Sequence, residues 1–336
     1  MSNASQQILK GSSEGNKRYG FDDTHDPMRP AQFWFQESED GLILFVVFYT
    51  QACRWSRCLG CNLPSQSSLD PVGFAAIIQQ IDYLFSEAGI QTRCPDIDKI
   101  IISNNGSILD EQTFSSTALM YLMARINLNC PKMRILTLET RPEYVDLSEL
   151  EFLYRALNER SVPTVLELAI GFEAYDDRIR NDHFSKGLSR DTFETMVERI
   201  APCKHRLKCY LMQKPVPHMT DAQAIKDIHA AIDYLSDLAI KHGVSINMHL
   251  NPTYVAYGTG LEDSFSQGLY TPPRLSDVVK AIQHAQGKSL SVYVGLSDEG
   301  LAVPGGSFIR PDDERLVKTL ELFNRTQDYT LFGSAV

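Results

Sequence analysis

The sequence has no apolar run approaching the roughly 20 residues of a membrane-spanning helix, so no such span is expected. Its first residues, Met1-Ser2-Asn3-Ala4-Ser5-Gln6-Gln7, carry neither a charged segment nor an apolar core, and no secretory signal is expected from them. Positive charge is not in excess. The 32 Lys and Arg against 42 Asp and Glu leave a net charge of −10, which provides no global pull toward nucleic acid but does not exclude a local basic patch. A disulfide framework is also missing. The seven cysteines are odd in number, and Cys94, Cys130, Cys203 and Cys209 are scattered. That usage fits a reducing, cytoplasmic setting. No short-period repeat is visible, and no linker divides residues 40 to 300.

What is present is a globular composition, 43% hydrophobic and 22% charged, in 336 residues, enough for one large domain or two ordinary ones. Short runs rich in Ile, Val and Leu occur at Ile43–Tyr49, Ile97–Ser103, Met133–Leu138, Val165–Ile170, Leu207–Met212, Val244–Leu250 and Leu290–Val294. Their nearly continuous apolar character predicts buried parallel strands. Helical periods lie between them. Val72, Ala75, Ile78, Ile81, Leu84 and Phe85 form one stripe, and Ala222, Ile225, Ile228, Ile232, Leu235 and Leu238 form the longest, preceded by a Thr220-Asp221 cap. Others run from Phe114 to Ile126, Leu147 to Leu157, Phe193 to Ile200 and Leu316 to Phe323. Six or seven such units predict an α/β barrel, closed or partial, over an open doubly wound sheet. Residues 1–30, polar and rich in Ser, Asn, Asp and Gly, read as a flexible arm. Residues 31–300 read as the barrel, with Phe33-Trp34-Phe35 covering its core, and 301–336 as a C-terminal helical extension.

The most informative stretch is Cys53-Arg54-Trp55-Ser56-Arg57-Cys58-Leu59-Gly60-Cys61, a C-x4-C-x2-C loop between the first strand run and the helical pattern of 71–88. Thiolates bind soft metals and iron–sulfur clusters. Structural zinc usually takes four ligands, often in two CxxC pairs, and here there is no second pair. A redox CxxC at Cys58 and Cys61 leaves Cys53 unexplained, and Arg54, Ser56, Arg57 and Asn62 are poor neighbours for core cysteines. The residues favour a cluster, with zinc as the alternative. Three cysteines on a four-iron cluster would leave one iron open to a small molecule.

A three-cysteine loop after the first strand of a partial barrel resembles the radical S-adenosylmethionine (SAM) superfamily. The spacing is one residue longer than the commonest C-x3-C-x2-C, and Gly60 stands where an aromatic residue is usual. Ser103-Asn104-Asn105-Gly106-Ser107, Leu138-Glu139-Thr140-Arg141-Pro142, Gly171-Phe172-Glu173, Ser185-Lys186-Gly187, Tyr210-Leu211-Met212-Gln213-Lys214-Pro215 and Leu269-Tyr270-Thr271-Pro272-Pro273 extend the likeness over roughly residues 40 to 290. They resemble the Elp3-like branch and, more closely, the archaeosine-biosynthesis radical SAM proteins.

The resemblance implies a partial (β/α)6-type TIM barrel with a short N-terminal extension and a C-terminal helix. It implies a [4Fe-4S] cluster on Cys53, Cys58 and Cys61, and S-adenosyl-L-methionine as cofactor. Asn105, Gly106 and Ser107 would meet the SAM methionine moiety, with an ordinary Asn-Gly turn as the alternative. Glu139 would take an amine or a ribose, the alternative being an ion pair with Arg141. Glu173 would take the ribose hydroxyls, and Lys186 the SAM carboxylate. Tyr210, Lys214, Asn247, His249 and Asn251 would face the substrate, or else form a buried network. No catalytic acid or base is assigned. The resemblance also implies a flavodoxin- or ferredoxin-type electron donor, and tRNA as a candidate substrate in a lyase step on a modified base. A small molecule or peptide is the rival substrate. The rival classes are a non-catalytic zinc- or cluster-binding partner protein and a barrel enzyme with incidental cysteines.

Overall fold

The computed structural model describes residues 2–333. The chain starts with α1 (Asn3–Glu14) and the hairpin β1 (Gln32–Ser38) and β2 (Gly41–Val47), then α2 (Phe74–Ser86), α3 (Ala88–Arg93) and β3 (Lys99–Ser103). It continues through α4 (Ser116–Asn129), β4 (Ile135–Thr140), α5 (Leu147–Leu157), β5 (Val165–Glu173), α6 (Arg190–Ile200) and β6 (Arg206–Gln213). Next come α7 (Asp221–His242), β7 (Ile246–Pro252), α8 (Gly260–Ser266), α9 (Leu275–Gln283), β8 (Ser291–Val294) and α10 (Glu314–Thr326). The strands pair in chain order. β1 is antiparallel to β2, and β2 through β8 are parallel, forming an open, strongly curled half-barrel.

Side-chain alternation along each strand separates two environments. Leu44, Val46, Ile100, Ile102, Leu136, Leu138, Leu166 and Leu168 face outward into one core shared with the helices. The intervening residues face inward. On β2 and β3 these are Ile43, Phe45, Val47 and Ile101. Further round, the inward positions turn polar: Thr137, Glu167, Lys208 and Asn247 are all buried.

A buried ion cluster plugs the end of the barrel where the strands begin. Lys99 Nζ lies 2.6 Å from Glu167 and 2.9 Å from Asp40, and Arg206 reaches Asp40 at 2.9 Å and Glu167 at 3.2 Å. Thr137 donates to Glu167 at 2.8 Å. These charges close the floor of the barrel, and the loops after the strands lie at the opposite end, where α/β barrels place their chemistry.

The free edge of β8 is covered by α10. The Asn324 side chain accepts from Val294 N (2.8 Å) and donates to Val294 O (2.9 Å), and Gln327 does the same for Val292 at 2.8 and 2.7 Å. Two amide side chains stand in for the missing strand and protect an exposed edge.

All seven strand runs read from the sequence form parallel strands, and α7 begins on a Thr220–Gln223 capping box. Three features differ. The first is that residues 3–14, expected as part of a flexible arm, form α1, which buries Ile8 and is capped by Ser2. Its apolar face is a single isoleucine among small residues, too weak a stripe to read as a helix. The second is that the aromatic trio, which covers the core through Phe33 and Phe35 as expected, does so from a strand of its own, β1, where Trp34 stacks on Phe45 at 4.3 Å. The third is α9, which packs Val278, Val279 and Ile282 into the core. Residue 1 of the arm and residues 334–336 of the C-terminal extension lie outside the described residues. Among the described residues, no helix is long and apolar enough to cross a membrane.

Candidate functional site

The cysteine loop leaves the end of β2 and is tied to the loops that follow the other strands. Arg54 makes a two-pronged pair with Asp110 beyond β3, at 2.6 and 2.7 Å. Trp55 donates its indole N–H to Ser185 O at 2.8 Å, and Leu59 N donates to Phe184 O at 2.9 Å. Asn62 Nδ2 donates to the carbonyls of Tyr257 (3.2 Å) and Leu301 (3.3 Å). Two glycines let these loops close in. Gly106 sits against Cys53, 3.3 Å from its Cα to where a Cβ would be. Gly187, at φ +64, leaves space that the Trp55 ring fills.

The three thiols are half-buried and face one cation-lined space. Cys53, Cys58 and Cys61 lie within electrostatic reach of one another. Burial pushes the Cys58 thiol up, and burial with Cys58 pushes Cys61 up to about 12. Four cations surround them: Arg54 near Cys53, Arg141 near Cys53 and Cys58, Lys186 near Cys58, and Lys17 near Cys58 and Cys61. Among the described residues, no three His, Cys, Asp or Glu side chains gather tightly enough to hold one ion. A structural zinc usually takes four ligands, and this loop offers three thiols. A cation ring suits a group that is anionic with its thiolates. The donor set fits a cluster better than a lone zinc.

The expected SAM-contact residues lie at successive strand ends. Asn105 follows β3 at φ +57, and its Nδ2 is buried without a hydrogen-bond partner. Ser107 is engaged inside the protein: its hydroxyl lies 2.6 Å from Thr140 Oγ1 and accepts from Arg141 N at 3.1 Å. Glu139 accepts from the Tyr210 hydroxyl rather than pairing with Arg141. Arg141 pairs with Glu143, lies over the Trp55 ring and donates to the carbonyls of Lys186 and Gly187. Burial pushes the Glu139 carboxyl up, against its hydrogen bonds from Ser103 and Tyr210. Glu173, at φ +69 on a register shift of β5, meets Lys186 at 2.8 Å. A Cβ at Gly171 would collide with that pair. Burial opposes charge on Lys186, but Glu173 and Cys58 outweigh it and raise the ammonium.

The opposite wall is made by β6 to β8. His249 lies between the rings of Tyr210 and Tyr293, 4.7 Å from each, with Nδ1 unpartnered. Burial, with Lys208 and Lys99 nearby, holds His249 well below its ordinary value, so it is neutral. Asn251 is beside it, and the absence of a side chain at Gly295 makes room for both. Two expected residues have their polar groups committed within the fold. Asn247 accepts from Lys208 (2.7 Å) and donates to Ser291 (2.9 Å). Lys214 meets Asp221 at 2.7 Å and Thr271 at 3.3 Å.

Sequence reasoning missed Lys208, Tyr254, Tyr293 and Glu299. Glu299, at φ +57 beyond β8, accepts from Tyr254 at 3.2 Å. Water touches it, yet protein surrounds it, and that partial burial, with Glu139 and Asp298, pushes its carboxyl up to about 7. A lone glutamate in a turn gives no sequence signal. Lys208 did carry one, as a charge inside an apolar strand run.

Burial, together with Lys99, pushes Lys208 down to about 7. The unfolded chain holds that proton up to about pH 10.4 and the folded chain releases it near neutrality, so stability should rise with pH between the two values. In thermal melts across that range, Lys208→Met is expected to show a flatter rise than the wild type. Equal slopes would assign the titration to another group.

No protein-family profile matches the chain. A Methanocaldococcus jannaschii protein described as uncharacterised is 22% identical over 319 residues, covering 92% of this chain and 84% of its own length. The archaeosine synthase subunit beta of Methanosarcina acetivorans is 27% identical over 246 residues, or 72% of this chain. This chain spans 66% of that protein, just under two thirds. Among solved structures, the queuine lyase of Clostridium spiroforme, bound to SAM and queuine, matches with a TM-score of 0.50 at 14% identity. That match covers 82% of this chain and 100% of the lyase. The chain shares the fold of that lyase. On this fold the cysteine loop follows the first parallel strand, the place where the sequence resemblance puts cluster ligands.

Proposed function

We propose that the chain is a radical SAM enzyme, with Cys53, Cys58 and Cys61 as ligands of a [4Fe-4S] cluster. The observation that carries the proposal is the gathering of three thiols of one loop inside a ring of four cations at the barrel mouth. Bound there, the cluster and SAM would supply a 5′-deoxyadenosyl radical that takes a hydrogen atom from the substrate. The chain's own residues bind and orient. Asn105, with its free amide, and the backbone at Gly106 would meet the methionine end of SAM. Ser107 holds that loop to the end of β4. Glu173 and Lys186 form one ion pair that can open to a ribose and a carboxylate, and Arg141 fixes the loop bearing Lys186. Glu139 and Tyr210 lie deeper, facing His249, Asn251 and Tyr293, and enclose the substrate away from bulk water.

For substrate we infer a modified tRNA base, in a lyase step like that of archaeosine biosynthesis. The support is the likeness to the archaeosine synthase subunit, together with the Tyr210–His249–Tyr293 ring wall, which suits a planar base. The net charge of −10 favours a second reading, a small molecule or a peptide. The electron would come from a flavodoxin- or ferredoxin-type partner. Anaerobic reconstitution of the full chain, followed by assay for 5′-deoxyadenosine with a chemical reductant, is expected to give four irons per chain and SAM cleavage. One zinc per chain and no cleavage would instead identify a non-catalytic metal-binding protein.

A further inference from the structure

Three of the four cations around the cysteines already face a carboxylate: Arg54 faces Asp110, Arg141 faces Glu143 and Lys186 faces Glu173. Lys17 has none among the described residues. Its ammonium donates to the carbonyls of Cys58, Leu59 (3.2 Å) and Cys61 (2.7 Å). A lysine ammonium has three donors, and here each meets one carbonyl of the same loop. Carbonyls satisfy those protons without cancelling the charge. A net positive charge therefore sits directly behind two of the three cysteines.

The same segment brings hydroxyl groups. The Tyr19 and Ser12 hydroxyls are buried beside each other, and Tyr19 lies within electrostatic reach of all three cysteines. Two hydroxyls that share one hydrogen bond leave one donor over. Thiolate or sulfide sulfur at the cysteines would accept it.

The local sequence lets this segment come so close. Side chains at Gly11 and Gly15 would collide with the backbone of Trp55 and Arg57, so only glycine allows α1 to lie on the loop. Ser5 and Glu14 add contacts, from Gln51 Nε2 at 3.2 Å and to Arg57 at 2.9 Å.

Resting on the cluster reading above, we propose that the N-terminal segment is an electrostatic cover for that cluster. In it, Lys17 and Tyr19 are positioning residues that raise the cluster's reduction potential. Reduction adds an electron to a group that is already anionic with its three thiolates. An unmatched cation and a hydrogen-bond donor beside the sulfurs favour the reduced form.

The test is an EPR-monitored redox titration of the reconstituted full chain, with iron counted in each sample. Lys17→Met is expected to keep its iron and to lower the ratio of reduced to oxidised cluster about tenfold at a fixed potential, a shift of about 59 mV for one electron. Lys17→Arg, which keeps the charge, should titrate within threefold of wild type. A Lys17→Met ratio within threefold of wild type would overturn the role of Lys17 while leaving the cluster reading intact. A wild-type chain that takes up no cluster would overturn both. If Lys17→Met fails to retain iron, Tyr19→Phe decides. A threefold or larger fall supports the cover, and an unchanged ratio overturns it.

Discussion

Cys58→Ala is expected to leave the chain without a stable iron–sulfur chromophore and without SAM cleavage. Losing an outer-shell partner of a metal site costs about 10–100-fold in affinity or activity, so losing one of three direct ligands should exceed 100-fold. The fold should survive. The loop is held by Arg54 on Asp110, Trp55 on Ser185 and Asn62 on Tyr257 and Leu301, and none of these contacts uses the Cys58 side chain. Thermal melting close to wild type, with iron and 5′-deoxyadenosine both lost, is the expected result. Cys203→Ala, at an exposed cysteine remote from the strand ends, should behave as wild type. Full cleavage activity in Cys58→Ala would return the chain to the class of barrel enzymes with incidental cysteines.

Glu167→Gln should give the largest loss of stability, about 3–5 kcal/mol in urea unfolding. Glu167 is fully buried and faces both Lys99 and Arg206. The amide keeps the shape and removes the charge, leaving Asp40 alone to balance two cations in the floor of the barrel. Burial works against the Glu167 carboxylate, but Lys99, Arg206 and Lys208 outweigh it and hold its pKa below the ordinary value. Asp40 is lowered in the same way, with Lys99 and Arg206 overcoming burial. The sign follows from linkage. A carboxyl with a depressed folded pKa stabilises the fold above its unfolded pKa, roughly 4, and loses that contribution as pH falls through the folded value. Wild type should therefore destabilise below about pH 4 more steeply than Glu167→Gln. If the two acid limbs are parallel, the floor pairs do not carry the acid sensitivity.

Lys99, Glu167, Arg206 and Lys208 also show how far the strands could be read. Each sits in or beside an apolar run that reads as a buried strand. Nothing in the run says that these four point the same way, into a barrel, with Glu167 of β5 facing Lys99 of β3 and Arg206 of β6. Asn247 is similar. Its place on the inward face was legible, but its use by Lys208 and Ser291 was not, because both partners lie on neighbouring strands.

The site divides along the same line. The cysteine spacing, the polar residues after successive strands and Gly171 before Glu173 are local features, and the sequence carries them. The Glu173–Lys186 pair spans thirteen residues, the Trp55–Ser185 bond 130, and the Lys17 cage about the cysteine loop 41 to 44. The composition of the arm reads as flexible because it cannot by itself bury much surface. Residues 3–14 of it form a helix because the cysteine loop, distant in sequence, offers a surface that only small residues can approach.

The sequence by itself determined the order of the seven parallel strands, six of the helices and the three-thiol loop, because apolar runs, period-3.6 burial and ligand spacing are properties of neighbouring residues. Tertiary structure alone decided which charges meet across the floor, which wall faces the thiols and what covers them. Those outcomes depend on sheet curl and on loop closure between distant segments, where charge is matched only once the chain has brought the partners together.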